Sequence, residues 1–188
     1  MRSSPKRETL LDTAWRLFYR DGFHAVGIDT VLAEAGVAKM TLYNHFASKE
    51  DLIVAVLERR AEQFESSLFS AVEAAGSDPM KRLMSVFDWH AEWLSSPEFS
   101  GCAFIKAVAE FPQPEARPHQ VAAAHKTRIL QLLESLLKAL GIRSPATLAR
   151  QLELLIEGAI VSAHIHGRPE AAKDARSAAE LLVKTRVA

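Results

Sequence analysis

Gly27–Phe46, GIDTVLAEAGVAKMTLYNHF, is the stretch whose reading decides the fold. Val31, Leu32 and Ala35 set an apolar stripe at i, i+1 and i+4, which predicts a short helix with one buried face. Gly36 then supplies the permissive backbone that a sharp turn needs, and Val37 is placed to plug the angle behind it. A second helix over 39–46 points Leu42 and Phe46 inward at i and i+4. It leaves Lys39, Met40, Thr41, Tyr43, Asn44 and His45 on the outer faces. Two short helices joined in this way make a helix-turn-helix, whose second helix offers polar side chains to a DNA major groove.

The bare helix-turn-helix spacing is common to many unrelated helical hairpins. The run that extends it, AEAGVAKMTLYNHFASKEDL, is far more specific and resembles the signature of TetR-type transcriptional regulators. Ala33, Gly36, Val37, Thr41, Leu42, Tyr43, His45, Phe46, Lys49, Glu50 and Leu52 carry the resemblance. It implies an all-α chain of about nine helices. An N-terminal three-helix helix-turn-helix DNA-binding domain over 1–47 precedes a C-terminal helical domain over 48–188 for effector binding and dimerisation.

The resemblance also implies roles for individual side chains. Tyr43 and His45 correspond to positions that hydrogen-bond backbone phosphates, and Lys49 adds a point charge from the start of the fourth helix. Such contacts set affinity and register, whereas Lys39, Thr41 and Asn44 are placed to reach base edges. Met40 replaces a common glycine and suits apolar contact with a thymine methyl. Relatives often carry Ser or Thr just before the second helix; here that position is Gly27, which leaves Thr30 as the nearest hydroxyl. Asp29 suits the helix dipole but repels phosphate, so it reads as a stabiliser. Tyr43 and His45 have a second reading, as rings that only pack the corner after the third helix. His45 lacks a second ligand at metal-binding spacing.

Composition constrains the rest. At 188 residues and 48 % hydrophobic, the chain is long enough to bury a proper core. Its formal charge is zero, so any grip on nucleic acid must come from a local patch. A single cysteine, Cys102, excludes an internal disulfide framework and suits a reducing cytoplasm. No run is apolar enough to span a membrane, and the opening MRSSPKRE lacks a signal-peptide core. Arg2, Lys6 and Arg7 form either a frayed terminus or an arm that touches phosphate. Leu10, Ala14, Leu17 and Phe18 define the buried stripe of the first helix, with Trp15 and Phe23 expected to complete that core.

Helix punctuation continues down the chain. Ser48 opens a capping box with Asp51, and the helix behind it runs to about 75 on Leu57, Ala61, Phe64 and Leu68. Asp78-Pro79 and Ser144-Pro145 restart helices after breaks, and Gly141 and Gly167 end them. The last two helices present Leu155, Gly158, Ala159, Ser162 and Ala163, then Ala175, Ala178, Ala179 and Leu182. These flat, small and apolar faces read as a subunit interface or as ordinary packing within the chain; in the resembling family the same helices pair with their symmetry mates. A homodimer lets two readers grip a pseudo-palindromic operator in double-stranded DNA.

In relatives an unidentified small-molecule effector would sit among the fourth to eighth helices. Phe64, Phe87, Trp89, His90, Trp93, Phe104 and Phe111 are the candidate lining, with Cys102 and His125, and each is also readable as plain core. Cys102 follows Gly101 at the predicted start of a short helix, with Lys106 four residues on. The run resembles relatives that sense electrophiles or oxidants through this thiol, against which stands an inert buried cysteine. An enzyme with Cys102 as nucleophile is the third alternative, and no motif supplies its base or oxyanion site. Neither a cofactor nor a metal is expected. The reading that results is a dimeric repressor, not an enzyme, released from its operator by ligand or by modification of Cys102.

Overall fold

The computed structural model describes residues 4–186, so the arm residue Arg2 lies outside the described residues. Among these, nine helices are present and no strand: α1 (Pro5–Asp21), α2 (Ile28–Ala35), α3 (Lys39–Tyr43), α4 (Lys49–Ala74), α5 (Pro79–Leu94), α6 (Ala103–Glu110), α7 (Arg117–Ala139), α8 (Pro145–His166) and α9 (Ala171–Lys184). No helix among the described residues is long and apolar enough to cross a membrane.

The helix boundaries follow local chemistry. Ser48 Oγ accepts the Asp51 N–H at 3.1 Å and so caps α4. Asp78 caps α5 through the N–H groups of Met80 and Lys81, with Pro79 in the first turn where no donor is needed. Gly36 ends α2 in the left-handed region at φ +62°. Its N–H bonds the Ala33 carbonyl while the Val37 N–H reaches back to that of Leu32, a doubly bonded helix stop. An L side chain there would be strained.

The chain divides into two compact units, Met1–Glu62 with Ala103–Ala124, and Gln63–Cys102 with His125–Ala188. In the first, α1 packs against α2 and α3. Leu10, Ala14, Phe18, Val31 and Leu42 are each 0 % exposed, so this small unit has a dry centre. Truncating a ring such as Phe18 to Ala would cost about 3–5 kcal/mol. Trp15 corrects the expected core. It is half-buried, stacked on Tyr19 at 4.6 Å with the Arg60 guanidinium 5.0 Å over its ring. An indole on the flank of α1 gains enough from stacking and a covering cation to stay near water.

In the second unit, α9 packs against both α8 and α5. Leu83, Val86, Phe87, Leu133, Leu137, Leu148, Leu152 and Ala179 fill its interior. On α5, α7 and α8 they recur at i, i+3 or i, i+4, the spacing of one helix face. Leu132 of α7, and Leu140 just past its end, are only half-buried.

Candidate functional site

The helix-turn-helix forms as the apolar pattern requires, with one difference. Helix α3 covers five residues, Lys39–Tyr43, and residues 44–46 continue as hydrogen-bonded turns rather than helix. The Phe46 N–H still bonds the Leu42 carbonyl at 2.8 Å, which carries the ring inward beside Leu42. Both are buried, at 4 % and 0 % exposure. Arg7, in the first turn of α1, lies with its guanidinium 5.3 Å over the Phe46 ring.

Around that anchor the outward side chains stand in solvent. Met40 is 71 % and Tyr43 44 % exposed, large apolar surface that the fold leaves open. Lys39 and Asn44 are exposed, and Thr41 and His45 are half-buried. Lys39 Nζ forms a loose 3.7 Å pair with Asp29 across the α2–α3 turn. Both partners are exposed, so the pair holds Lys39 only weakly. Thr30 is exposed on the first turn of α2, whose N-terminus is capped by the Gly27 backbone and by no side chain. Lys49, the point charge expected at the start of α4, is held by the backbone. Its Nζ donates to the His24 carbonyl at 3.2 Å, and burial lowers its pKa although Glu110 pulls the other way.

The expected effector lining separates into groups. In the second unit, Phe64 makes edge-on contacts with Trp89, His90, Trp93 and His125, with ring centroids 4.5, 5.8, 5.4 and 5.0 Å away. Phe87 is buried core outside this cluster of rings, and Phe104 belongs to the first unit; helical spacing separates neither from the cluster. His90 Nδ1–H donates to the Val86 carbonyl at 2.7 Å. His125 Nδ1 lies 2.8 Å from Glu65, whose carboxylate also takes both bonds from Arg128 Nε at 2.8 Å. Burial lowers the pKa of each imidazole to about 4, for His90 against the Val86 bond and for His125 against the Glu65 carboxylate.

Cys102 is buried at 6 % exposure and precedes α6 rather than opening it. The cation beside it is not Lys106, whose Nζ donates to the Tyr19 carbonyl at 2.9 Å and lies 4.9 Å over the Tyr19 ring. It is Lys126 of α7, which hydrogen-bonds the Cys102 side chain and pairs with Glu157 at 2.5 Å. Burial opposes the Lys126 charge, but Cys102 and Glu157 outweigh it and its pKa is raised. Among the described residues no three His, Cys, Asp or Glu gather as a metal site.

On the α8–α9 face, Leu155, Gly158, Ala159, Ser162, Ala175 and Ala178 line a groove of about 370 Å³. Ala163 and Ala179 correct the predicted interface. At 4 % and 0 % exposure they are used up in packing within the chain, because the smallest residues let helices approach most closely. Sequence reasoning missed the exposed part of the face, Leu154, Val161, Ile165 and Leu181, at 71, 41, 66 and 66 % exposure. Leu182 is half-buried beside it. The missed signal was present as large apolar residues off the buried stripe.

Residues 10–56 match the family of bacterial regulatory proteins, tetR family, and residues 79–179 match the tetracyclin repressor-like, C-terminal domain. SCO4454, a TetR-family transcriptional regulator from Streptomyces coelicolor, is 32 % identical. It superposes over 98 % of this chain and 91 % of its own with a TM-score of 0.94. The HTH-type transcriptional activator FasR of Mycolicibacterium smegmatis is 36 % identical over 83 residues, 44 % of this chain and 37 % of FasR. The HTH-type transcriptional repressor NemR of Escherichia coli K12 is 30 % identical over 105 residues, 55 % of this chain and 53 % of NemR. The crystal structure of reduced NemR shares the fold, with a TM-score of 0.84 at 24 % identity over 95 % of this chain and 96 % of that one.

Proposed function

We propose that this chain, which belongs to the TetR family of DNA-binding transcriptional regulators, acts as a homodimeric repressor that an effector releases from a pseudo-palindromic operator. Family members are transcription factors and not enzymes. The observation that carries the reading is the contrast on α3, where Leu42 is sealed at 0 % exposure between Met40 and Tyr43, open at 71 and 44 %. A large methionine and a tyrosine held in water by a rigid turn gain most from a surface that buries them, and a major groove is such a surface.

Residues 1–47 act as the DNA-binding domain and 48–188 as the effector-binding and dimerisation domain. Tyr43, His45 and Lys49 take phosphates, with Thr30 at the start of α2; Lys39, Thr41 and Asn44 read bases, and Met40 covers a thymine methyl. The α8–α9 face joins two copies through Leu154, Leu155, Gly158, Val161, Ile165 and Leu181. The effector engages the rings around Phe64, with His90, Trp93 and His125 as its polar and aromatic lining. Binding favours a dimer whose recognition helices no longer match successive major grooves. The repressor acts in the cytoplasm.

A second reading keeps the DNA reader and makes the signal covalent at Cys102. The Lys126 ammonium beside the sulfur supports it, because the thiolate is the nucleophile. That NemR, alike in fold, is described in a reduced form is consistent with a redox-dependent state in such a scaffold. Selection of bound duplexes from random DNA tests the first reading. We expect enrichment of a pseudo-palindrome with half-sites about one helical turn apart. Failure to enrich any sequence would contradict it.

A further inference from the structure

Residues 22–24 form the turn between α1 and α2, and two successive backbone N–H groups there point the same way. Such paired amides make a small anion-binding concavity. The anion that fills it belongs to the chain itself. Glu110, the last residue of α6, accepts the Phe23 N–H on Oε1 at 2.9 Å and the His24 N–H on Oε2 at 2.6 Å. The His24 ring returns a bond from Nε2 to the Glu110 carbonyl at 2.9 Å and packs on Phe111 at 4.6 Å.

Gly22 is shaped for this carboxylate. Its φ of +94° disfavours an L side chain, and a Cβ there would meet Glu110 Oε1 at 3.0 Å. The turn in turn holds Lys49, whose Nζ donates to the His24 carbonyl at 3.2 Å. A parallel tie lies next to it, where Arg117 at the start of α7 pairs with Asp51, the residue that Ser48 caps. Glu110 and Arg117 thus tie the segment 103–124 to the reader, within one compact unit.

We infer that Glu110 is a positioning residue for DNA binding: its carboxylate fixes the 22–24 turn and, through the His24 carbonyl, sets Lys49 in place for a phosphate. This rests on the DNA-contact role of Lys49 proposed above. A carboxylate near DNA would ordinarily repel it. Here both oxygens accept backbone amides and the charge acts on the Lys49 ammonium, so the carboxylate orders the chain.

The test is a titration of selected operator DNA at several salt concentrations. It compares wild type, Lys49→Ala, Glu110→Ala, Glu110→Gln and the Lys49→Ala/Glu110→Ala double variant, with thermal melting as a fold control. We expect Glu110→Ala to weaken binding roughly tenfold and to lower the salt slope by about 1 per protomer, as Lys49→Ala does. The double variant should lose little beyond Lys49→Ala, because both act on one contact. Glu110→Gln keeps one acceptor oxygen, should fold if Glu110→Ala does not, and should recover part of the affinity. Wild-type affinity and slope in Glu110→Gln and Glu110→Ala, with Lys49→Ala impaired, would overturn the inference. No loss in Lys49→Ala would instead remove the phosphate role of Lys49, and the inference with it. Additive losses in the double variant would also overturn it.

Discussion

Lys126 Nζ lies 2.5 Å from Glu157 Oε1 and hydrogen-bonds the sulfur of Cys102, so the thiol's cation comes from α7, 24 positions along the chain. Glu157 steers the ammonium, and Cys102 receives its charge. An ammonium held at a sulfur is placed to act on any reaction that passes through the thiolate.

Replacing Lys126 by Met should therefore slow the reaction of Cys102 with a small alkylating electrophile by about three- to tenfold at fixed pH. Mass spectrometry of the intact protein follows the rate, and a melting curve checks that the fold persists. An unchanged rate would mean that Lys126 does not act on the thiol. Lys106→Met, directed at the Tyr19 carbonyl instead, should leave the rate as it is.

Stability should fall with acid through His90 and His125. Each has its folded pKa lowered to about 4 by burial, below the ordinary 6.5. Between these values the unfolded chain binds protons that the folded chain does not, so stability is full above pH 6.5 and declines as pH drops towards 4. The slope is about 1.4 kcal/mol per pH unit for each histidine. Denaturant midpoints measured from about pH 7.5 to about pH 5 should show it. His90→Phe, which retains the ring packing on Phe64, should flatten the decline by about one proton's worth. An unaltered slope in that variant would remove His90 from the explanation.

The exposed apolar face on α8 should decide oligomeric state. Ile165 is 66 % exposed in the isolated chain, so Ile165→Glu should change monomer stability by no more than about 0.5 kcal/mol. In a dimer built on that face it buries a charge, and sedimentation should then report half the wild-type mass. Ala179→Glu is the contrasting case: at 0 % exposure it should unfold the chain outright. A wild-type mass for Ile165→Glu would place the interface elsewhere.

Much of this is legible in the sequence, and the exceptions have a common cause. Gly36 announces a left-handed helix stop, and Ser48, Asp78-Pro79 and Pro145 announce helix starts, because those signals are local. The buried faces follow from spacing, as Leu42 and Phe46 show. Spacing does not say which distant side chain arrives. Lys106 is the expected neighbour of Cys102 by helical register, yet Lys126 occupies that place, and Glu110 meets Phe23 across 87 positions. Small size is also ambiguous. Ala163 and Ala179 look like an outer face, but packing within the chain buries them, and the larger Val161 and Ile165 are left outside. Trp15 illustrates the same limit, since stacking and a guanidinium let an aromatic rest half in water.

The role of α3 is tested most directly by measuring operator affinity and its salt dependence for Tyr43→Ala beside Asn44→Ala. We expect Tyr43→Ala to weaken binding to all sequences alike, by roughly tenfold for a lost charge-assisted phosphate bond. Asn44→Ala should instead relax preference at particular base pairs, with about 1–3 kcal/mol of discrimination lost there. Unchanged affinity and unchanged sequence preference in both variants, with the fold intact, would contradict the assignment of α3 as the DNA-reading helix.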